Sequence, residues 1–539
     1  MQARTKILGI VVVILAILGI AGAYLMTRPP PTRILTYYSE YEVLTLDPAD
    51  AYDSGSFIPI QNCYDTLVTY PVDSISTVIP CLATDWQVSA DGLVYTFNLR
   101  KNVKFSNGNP FTSQDVVYTF KRVLTMNSPS SGVAWIDSQS LDVDSVKAID
   151  EYTVQFTLAR SFSPFLQTLA TVEPNGIVDM ETVEANGGIV ADQDNQWVSE
   201  STVGTGPYVV ESWTRGQQIT MVKNPNYWGG WDGNHYDKIV MLLNQQPSTS
   251  ISAAMSGTAT IADIPFDQAQ ALGAAGNFRI ETSPVPRTKL LTFNINSVHS
   301  FMANKAVRVA MSWAFPYDDV IKQAFKTYAS PLNGPVPAEI YLGQESNPTK
   351  YYSFDLGKAA TILDQAGFTK NTDGLRFNGT ALTLYSESTL AWTGTVGQLY
   401  QSALAEIGIV TDLRSVPDST YYAVQKTNEW DMMIVLWGPD YNDPSDYALP
   451  FVGSSNVGGD VYATHYSNPV IDQAIVAAME TTDVAQQTEY YTTVWEQANQ
   501  DPNMIFMAVT SHIAAVSNTL SNFSYNAITT YNFYSYTPA

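Results

Sequence analysis

LATDWQVSADGLVYTFNLRKNVKFSNGNPFTSQDV, residues 82–116, is the stretch of sequence with the clearest structural pattern. Asp91 and the glycine after it are typical of a hairpin turn, and the alternation over 94–99 predicts a strand. Thr112 and Asp115 have the spacing of a capping box, which predicts that a helix begins there.

Outward from this stretch, strand and helix patterns interleave without a fixed-period repeat or a regular βαβ order. This mixture favours several α/β or α+β lobes over a single barrel. The chain has 539 residues, which is long enough for a large core that needs no disulfide scaffold. We place the lobe boundaries near residues 70, 203, 288 and 510.

Charge excludes one class of partner. The formal net charge is −24, so we expect no nucleic-acid binding. Charged residues make up only 14% of the chain, so neutral polar groups must wet much of the surface. Such a surface suits an acidic exterior. The four histidines form no spaced metal motif, and we expect neither a metal nor another cofactor.

The N-terminal residues 1–33 predict export. Residues 7–26 carry no charge and are long enough to span a bilayer, and Arg4 and Lys6 precede them. We favour an uncleaved anchor at the extracytoplasmic face of the membrane, because the stiff Pro29-Pro-Pro31 stalk follows. The alternative is a signal peptide cut at Ala21-Gly-Ala23, which would leave the protein secreted or periplasmic.

The only cysteines of the chain are Cys63 and Cys81, 18 residues apart. In an exported protein they are able to form a disulfide. Two unpaired, buried thiols are the equally weighted alternative.

The candidate site is a polar, aromatic loop, Trp437 to Tyr447, that follows a short apolar run predicted to be a buried strand. Loops at the ends of such strands bind ligands in α/β folds. Asp440 would pair with an ammonium group, and Trp437 and Tyr441 would stack on the ligand. The alternative is a structural turn, and no catalytic motif of the common hydrolases is present.

The quoted stretch resembles the signature of the extracellular solute-binding proteins of peptide and oligopeptide ABC importers, family 5, and the likeness covers nearly all of 34–510. Other matching motifs, in chain order, are Thr45-Leu-Asp-Pro-Ala49, Gly204-Thr-Gly-Pro-Tyr208, Lys223-Asn-Pro-Asn-Tyr-Trp228, Phe293-Asn294 with Val307-Arg-Val-Ala-Met311, and Asp364-Gln-Ala-Gly-Phe368.

The resemblance implies a periplasmic-binding-protein-like α/β fold of three lobes, two of which close over the ligand about a hinge. Lobe I would comprise 34–70, 203–287 and 510–539, lobe II 71–202, and lobe III 288–509. The protein would catalyse nothing and would deliver its ligand to a membrane permease driven by ATPase subunits.

In peptide-binding members, the aspartate that matches Asp440 pairs with the ligand's α-amino group. Trp437 and Tyr441 match the flanking aromatics, and Trp392, Phe293 and Asn294 complete our set of candidate ligand-binding residues.

The chain departs from the pattern where a ligand carboxylate is expected to bind. Dipeptide-binding members have an arginine before the helix that we predict at 394–407, but 387–395 contains no basic residue. The strand 431–436 contains none either, which leaves Lys426 or Arg414 as remote possibilities. An oligosaccharide ligand stacked on aromatic rings is therefore the alternative, and a secreted hydrolase is the third hypothesis.

Overall fold

The computed structural model of the protein describes residues 32–273, 276–340 and 350–539. The apolar segment 7–26 lies outside these ranges. Within them, no helix combines the length and the apolar character that crossing a membrane requires.

Nineteen strands form in the described residues: β1 (Ile34–Tyr38), β2 (Val68–Thr69), β3 (Ile79–Pro80), β4 (Ala83–Val88), β5 (Val94–Leu99), β6 (Val146–Asp150), β7 (Thr153–Thr157), β8 (Tyr208–Thr214), β9 (Gln218–Lys223), β10 (Lys238–Leu242), β11 (Ile261–Asp263), β12 (Phe278–Phe293), β13 (Ala329–Pro331), β14 (Ala381–Glu387), β15 (Val410–Val416), β16 (Met432–Trp437), β17 (Met504–Ser517), β18 (Leu520–Ser521) and β19 (Thr537–Pro538).

The α-helices of the described ranges are α1 (Ser54–Cys63), α2 (Ser113–Met126), α3 (Trp135–Ser138), α4 (Phe165–Thr168), α5 (Val172–Asn175), α6 (Met180–Ala185), α7 (Pro247–Ser256), α8 (Phe266–Leu272), α9 (Lys305–Trp313), α10 (Tyr317–Val320), α11 (Leu356–Gln365), α12 (Ala391–Glu406), α13 (Asp418–Gln425), α14 (Ser445–Val452), α15 (Pro469–Glu480) and α16 (Val484–Gln500).

The structure confirms the local predictions for the quoted stretch. Strands β4 and β5 pair antiparallel across the Asp91 turn, where the aspartate Oδ1 accepts the Leu93 N–H at 3.1 Å. The Thr112 side chain accepts a hydrogen bond from the first turn of α2, and Asp115 accepts the Thr112 backbone N–H at 2.8 Å. The hairpin belongs to a four-stranded sheet with the order β4-β5-β7-β6.

The larger sheet carries the candidate site and has the order β15-β14-β16-β12-β17-β11-β1-β10-β9-β8, with β13 paired to β17. Two of our predicted lobe boundaries, near 288 and 510, fall inside the long strands β12 and β17. These strands pair antiparallel, with an irregularity between Ser283 and Arg287. The two halves of the large sheet are therefore joined by continuous strands rather than by loops.

Helix α12 begins three residues earlier than predicted, at Ala391. Its N-cap, Leu390, makes no side-chain cap, so the sequence carried no start signal at this position. Trp392 consequently lies in the first turn of the helix instead of preceding it.

The predicted alternative of a disulfide between Cys63 and Cys81 is not formed. Both residues are free, buried thiols. Cys63 ends α1 inside one hydrophobic core, and the Cys81 Sγ lies 3.8 Å from the Asp65 Oδ1. The two thiols thus have different neighbours, as in the unpaired alternative.

Candidate functional site

The Asp440 loop begins where β16 ends. Strand β16 lies between β14 and β12, and all of its residues except Leu436 are buried. Gly438 and Pro439 break the strand, and α14 begins at Ser445. Asp440 therefore lies between the end of a buried strand and the start of a buried helix.

Asp440 is 5% exposed, and both its carboxylate and its backbone carbonyl accept hydrogen bonds. The Tyr52 hydroxyl donates to its Oδ2 at 2.7 Å, and the Trp135 indole N–H donates to the same hydroxyl at 3.0 Å. The Asp440 carbonyl accepts the Thr171 hydroxyl at 2.6 Å. No lysine, arginine or histidine forms an ion pair with Asp440 among the described residues.

Three further carboxyl groups accompany Asp440, and we call these four residues the acidic wall: Asp53, Glu173, Asp440 and Asp446. The Asp440 backbone N–H donates to the Asp446 Oδ2 at 3.1 Å. Glu173 is fully buried, and neither of its carboxyl oxygens has a hydrogen-bond partner among the described residues.

Burial raises the pKa of every member of the acidic wall. The pKa of Asp440 lies well above its usual range because burial outweighs the hydrogen bond from Tyr52. The pKa of Asp446 is raised by burial and then by Asp440, and that of Glu173 by burial and then by Asp53. Burial raises the pKa of Asp53 to about 6. A bound cation would reverse these shifts, since it favours ionised carboxylates.

The aromatic residues of the loop have different environments. The Trp437 ring is 7% exposed and packs edge-on against Tyr52 and Phe451, with centroid distances of 6.2 and 5.7 Å. Tyr441 is fully buried, and its hydroxyl lies 3.2 Å from the Ser445 Oγ. Trp437 thus contacts Tyr52, whose hydroxyl donates to Asp440, whereas the Tyr441 hydroxyl lies next to Ser445 at the start of α14.

The structure does not bring Phe293 and Asn294 to this loop. Phe293 pairs with Met432, the first residue of β16, whereas Thr288 pairs with Trp437 at its end. Five residues of strand separate these pairs by about 17 Å. Phe293 is fully buried in a hydrophobic core, and the Asn294 side chain donates to the Trp430 carbonyl at 3.0 Å.

Two basic residues that the sequence analysis missed lie on β12 beside the loop. We call Arg287 and Lys289 the basic pair. Because β12 and β16 are antiparallel, the start of this part of β12 meets the end of β16, and Lys289 pairs with Leu436. A Cβ at Gly438 would lie 3.9 Å from the Arg287 Nε.

Trp392 is the link between the basic pair and α12. The Lys289 Nζ lies 4.9 Å from the centre of the Trp392 ring, which in turn packs against Phe325. The alternatives that we derived from the sequence are elsewhere: Lys426 is exposed, and Arg414 pairs with Asp412 at 2.8 Å. The sequence did contain a signal for the basic pair: two basic residues stand at alternate positions within the predominantly apolar stretch 285–291.

The mixed α/β fold, with a buried, polar loop at the end of a sheet strand, is typical of a ligand-binding protein. A family model, Bacterial extracellular solute-binding proteins, family 5 Middle, matches residues 77–459, more than two thirds of the chain. The chain belongs to this family, as the sequence resemblance predicted, and is a solute-binding receptor.

Curated relatives match over most of the chain. The chain is 28% identical to the Probable D,D-dipeptide-binding periplasmic protein DdpA of Escherichia coli K12, over 92% of each chain. It is also 28% identical to Di/tripeptide-binding protein 2 of Pseudomonas aeruginosa, over 79% of this chain and 80% of that protein.

A solved structure agrees in fold. The periplasmic binding protein DppA of Helicobacter pylori, in complex with the peptide STSA, superimposes with a TM-score of 0.82 at 25% identity. The match covers 94% of this chain and 98% of that one. The predicted periplasmic-binding-protein fold is thus confirmed.

Proposed function

We propose that this protein is the extracytoplasmic receptor of an ABC importer for peptides, and that Asp440 binds the α-ammonium group of the ligand. The observation that carries the proposal is a buried carboxylate that a tyrosine holds in place and that no cation of the described residues pairs. Burying an ammonium beside such a carboxylate gives a strong, charge-assisted hydrogen bond. The relatives named for di- and tripeptides support the same ligand class.

The oligosaccharide alternative has weaker support. A neutral sugar supplies no charge to pair with Asp440, Asp446 and Glu173, which would stay protonated, whereas an ammonium group pairs with the ionised carboxylate. Tyr441, one of the two proposed stacking rings, is enclosed by the protein. For the hydrolase hypothesis, Asp446 would be the second carboxyl group, but it accepts a hydrogen bond from the backbone of Asp440 itself.

A thermal-shift screen tests the ligand class. The panel contains L,L- and D,D-dipeptides, longer peptides and oligosaccharides, because a ligand that binds only the folded protein raises the melting temperature, and it does so more as its concentration exceeds its dissociation constant. We expect dipeptides or tripeptides to raise it and oligosaccharides to leave it unchanged. Stabilisation by oligosaccharides alone would contradict the proposal.

We further propose that residues 7–26 hold the protein at the extracytoplasmic face of the membrane, next to its permease. Membrane fractionation followed by mass spectrometry of the N-terminus checks this. An intact N-terminus in the membrane fraction is expected. A soluble form that begins at Tyr24 would instead assign the segment as a cleaved signal peptide.

A further inference from the structure

The basic pair forms no direct ion pair within the described residues. Lys289 is only 3% exposed, and the aromatic face of Trp392 is its nearest partner. Arg287 is partly buried and donates to two neutral hydroxyl groups, Tyr41 at 3.2 Å and Tyr525 at 3.4 Å.

Nearby carboxylates compensate the charge of Lys289 only in part. Burial and the nearby Arg287 lower the pKa of Lys289 to about 7, and Glu40 and Glu387 only partly oppose this. Burial acts to lower the pKa of Arg287, but Tyr41, Tyr525 and Glu40 raise it by a larger amount. The net pKa lies above its usual range, so the guanidinium stays charged. An anion between the two groups would relieve both the repulsion and the desolvation.

The basic pair lies beside the residues that lead into Asp440. The Arg287 Nε lies beside Gly438, and two residues of extended chain from there to Asp440 span at most about 7 Å. Lys289 lies across from Leu436, four residues before Asp440.

We propose that Arg287 and Lys289 bind the α-carboxylate of a short peptide whose ammonium group is bound by Asp440. This inference rests on the proposed function and adds to it the requirement for a free C-terminus. Trp392 fixes the Lys289 ammonium by a cation–π contact and shields it from water. Arg287 supplies a planar group that matches a carboxylate.

Isothermal titration calorimetry with dialanine tests this proposal on the full protein. The probes are L,L- and D,D-dialanine, their C-terminal amides and their N-acetyl derivatives. For the enantiomer that binds, we expect the amide to bind about 10- to 100-fold more weakly than the free acid, the range of a charged hydrogen bond. Lys289→Met should reduce this difference to about threefold or less, and acetylation should remain as costly as before.

Lys358→Met is the matched control, because Lys358 also lies over a tryptophan, 3.3 Å from the ring centre of Trp313, but on α11. It should leave the acid-to-amide ratio unchanged. Equal binding of acid and amide to the wild-type protein would overturn the inference even if Lys289→Met did not fold. If acetylation weakened binding but amidation did not, the proposed function would stand and this further inference would fail. If no peptide bound, the proposed function itself would fail.

Discussion

The acidic wall and the basic pair are opposite in charge, and burial affects their protonation differently. Asp53, Asp440, Asp446 and Glu173 have raised pKa values, so each is able to take up a proton when no ligand is bound. Arg287 has no such escape, since its pKa is raised and it stays charged. The acidic wall is thus able to lose its charge, and so is Lys289, whose pKa is lowered to about 7, whereas Arg287 stays charged.

This difference indicates what the ligand must supply. An ammonium group would replace protons at the acidic wall, and a carboxylate would pair with the guanidinium that stays charged at Arg287. A zwitterion supplies a partner of opposite charge to both ends at once, and a neutral sugar supplies one to neither. The following variants and conditions change the charge or the hydrogen bonding of individual buried groups, so that each effect is measured separately.

Asp440→Asn should have the largest effect. It removes the carboxylate that pairs with the ammonium but keeps the shape of the side chain, and losing one partner of a buried pair costs about 3–5 kcal/mol. Calorimetry with dialanine should show this loss of affinity. Asp318→Asn, at an exposed site, is the control, and an Asp440→Asn variant that binds normally would remove Asp440 from the site.

The ligand-free protein should become more stable as the pH falls from 7 to 5. Burial raises the pKa of Asp137 to about 7 and that of Asp53 to about 6. In this range the folded protein binds protons that unfolded carboxylates, with pKa values near 4, release. Their contribution to stability is complete below about pH 4 and is lost as the pH rises to about 7.

His512 opposes this trend, because burial lowers its pKa and the folded protein resists its protonation. The acids outnumber it, so we expect a rise in melting temperature of roughly a few degrees between pH 7 and pH 5. Asp137→Asn should make the rise smaller. A melting temperature that falls steadily over the same interval would contradict the raised pKa values of the buried acids.

Tyr52→Phe should weaken dialanine binding by about 1–2 kcal/mol. The change removes the hydroxyl that donates to Asp440 at 2.7 Å, and this hydrogen bond favours the ionised carboxylate. Tyr351→Phe is the control at an exposed tyrosine. Unchanged affinity in calorimetry would mean that Tyr52 does not position Asp440.

Glu173→Gln should have the smallest effect and the opposite sign. The amide resembles the protonated side chain, so it removes a buried charge that Asp53 and Asp440 repel. We expect the ligand-free protein to gain about 1 kcal/mol or less at pH 8, measured by chemical denaturation. A clear loss of stability would show that the wild-type carboxylate has a stabilising partner.

The turn and the helix start were predicted correctly because each depends on residues that are close together in the sequence. The Asp91 turn and the capping box of Thr112 each involve residues within a few positions of one another, and both formed as expected. Asp440 was predicted as a ligand-binding residue for a similar reason: it stands three residues after the end of a buried strand. Helix α12 began early because Leu390 gives no capping signal.

The rest of the site depends on which strands pair, and this is not local. In the sequence, Lys289 is indistinguishable from any other lysine in a strand. Only the pairing of β12 with β16 shows that it lies opposite Leu436. The same pairing moves Phe293 and Asn294 to the far end of β16, although their motif pointed to the site. A buried charge reveals its role only through partners that are distant in the chain.

Binding of dialanine and N-acetyl-dialanine to the wild-type protein and to Asp440→Asn tests the central claim most directly. The four affinities form a cycle that isolates the coupling between the ligand's ammonium and the Asp440 carboxylate. The account predicts that acetylation weakens wild-type binding at least about 100-fold, and Asp440→Asn binding only a few-fold. An equal effect of acetylation on both proteins would contradict it.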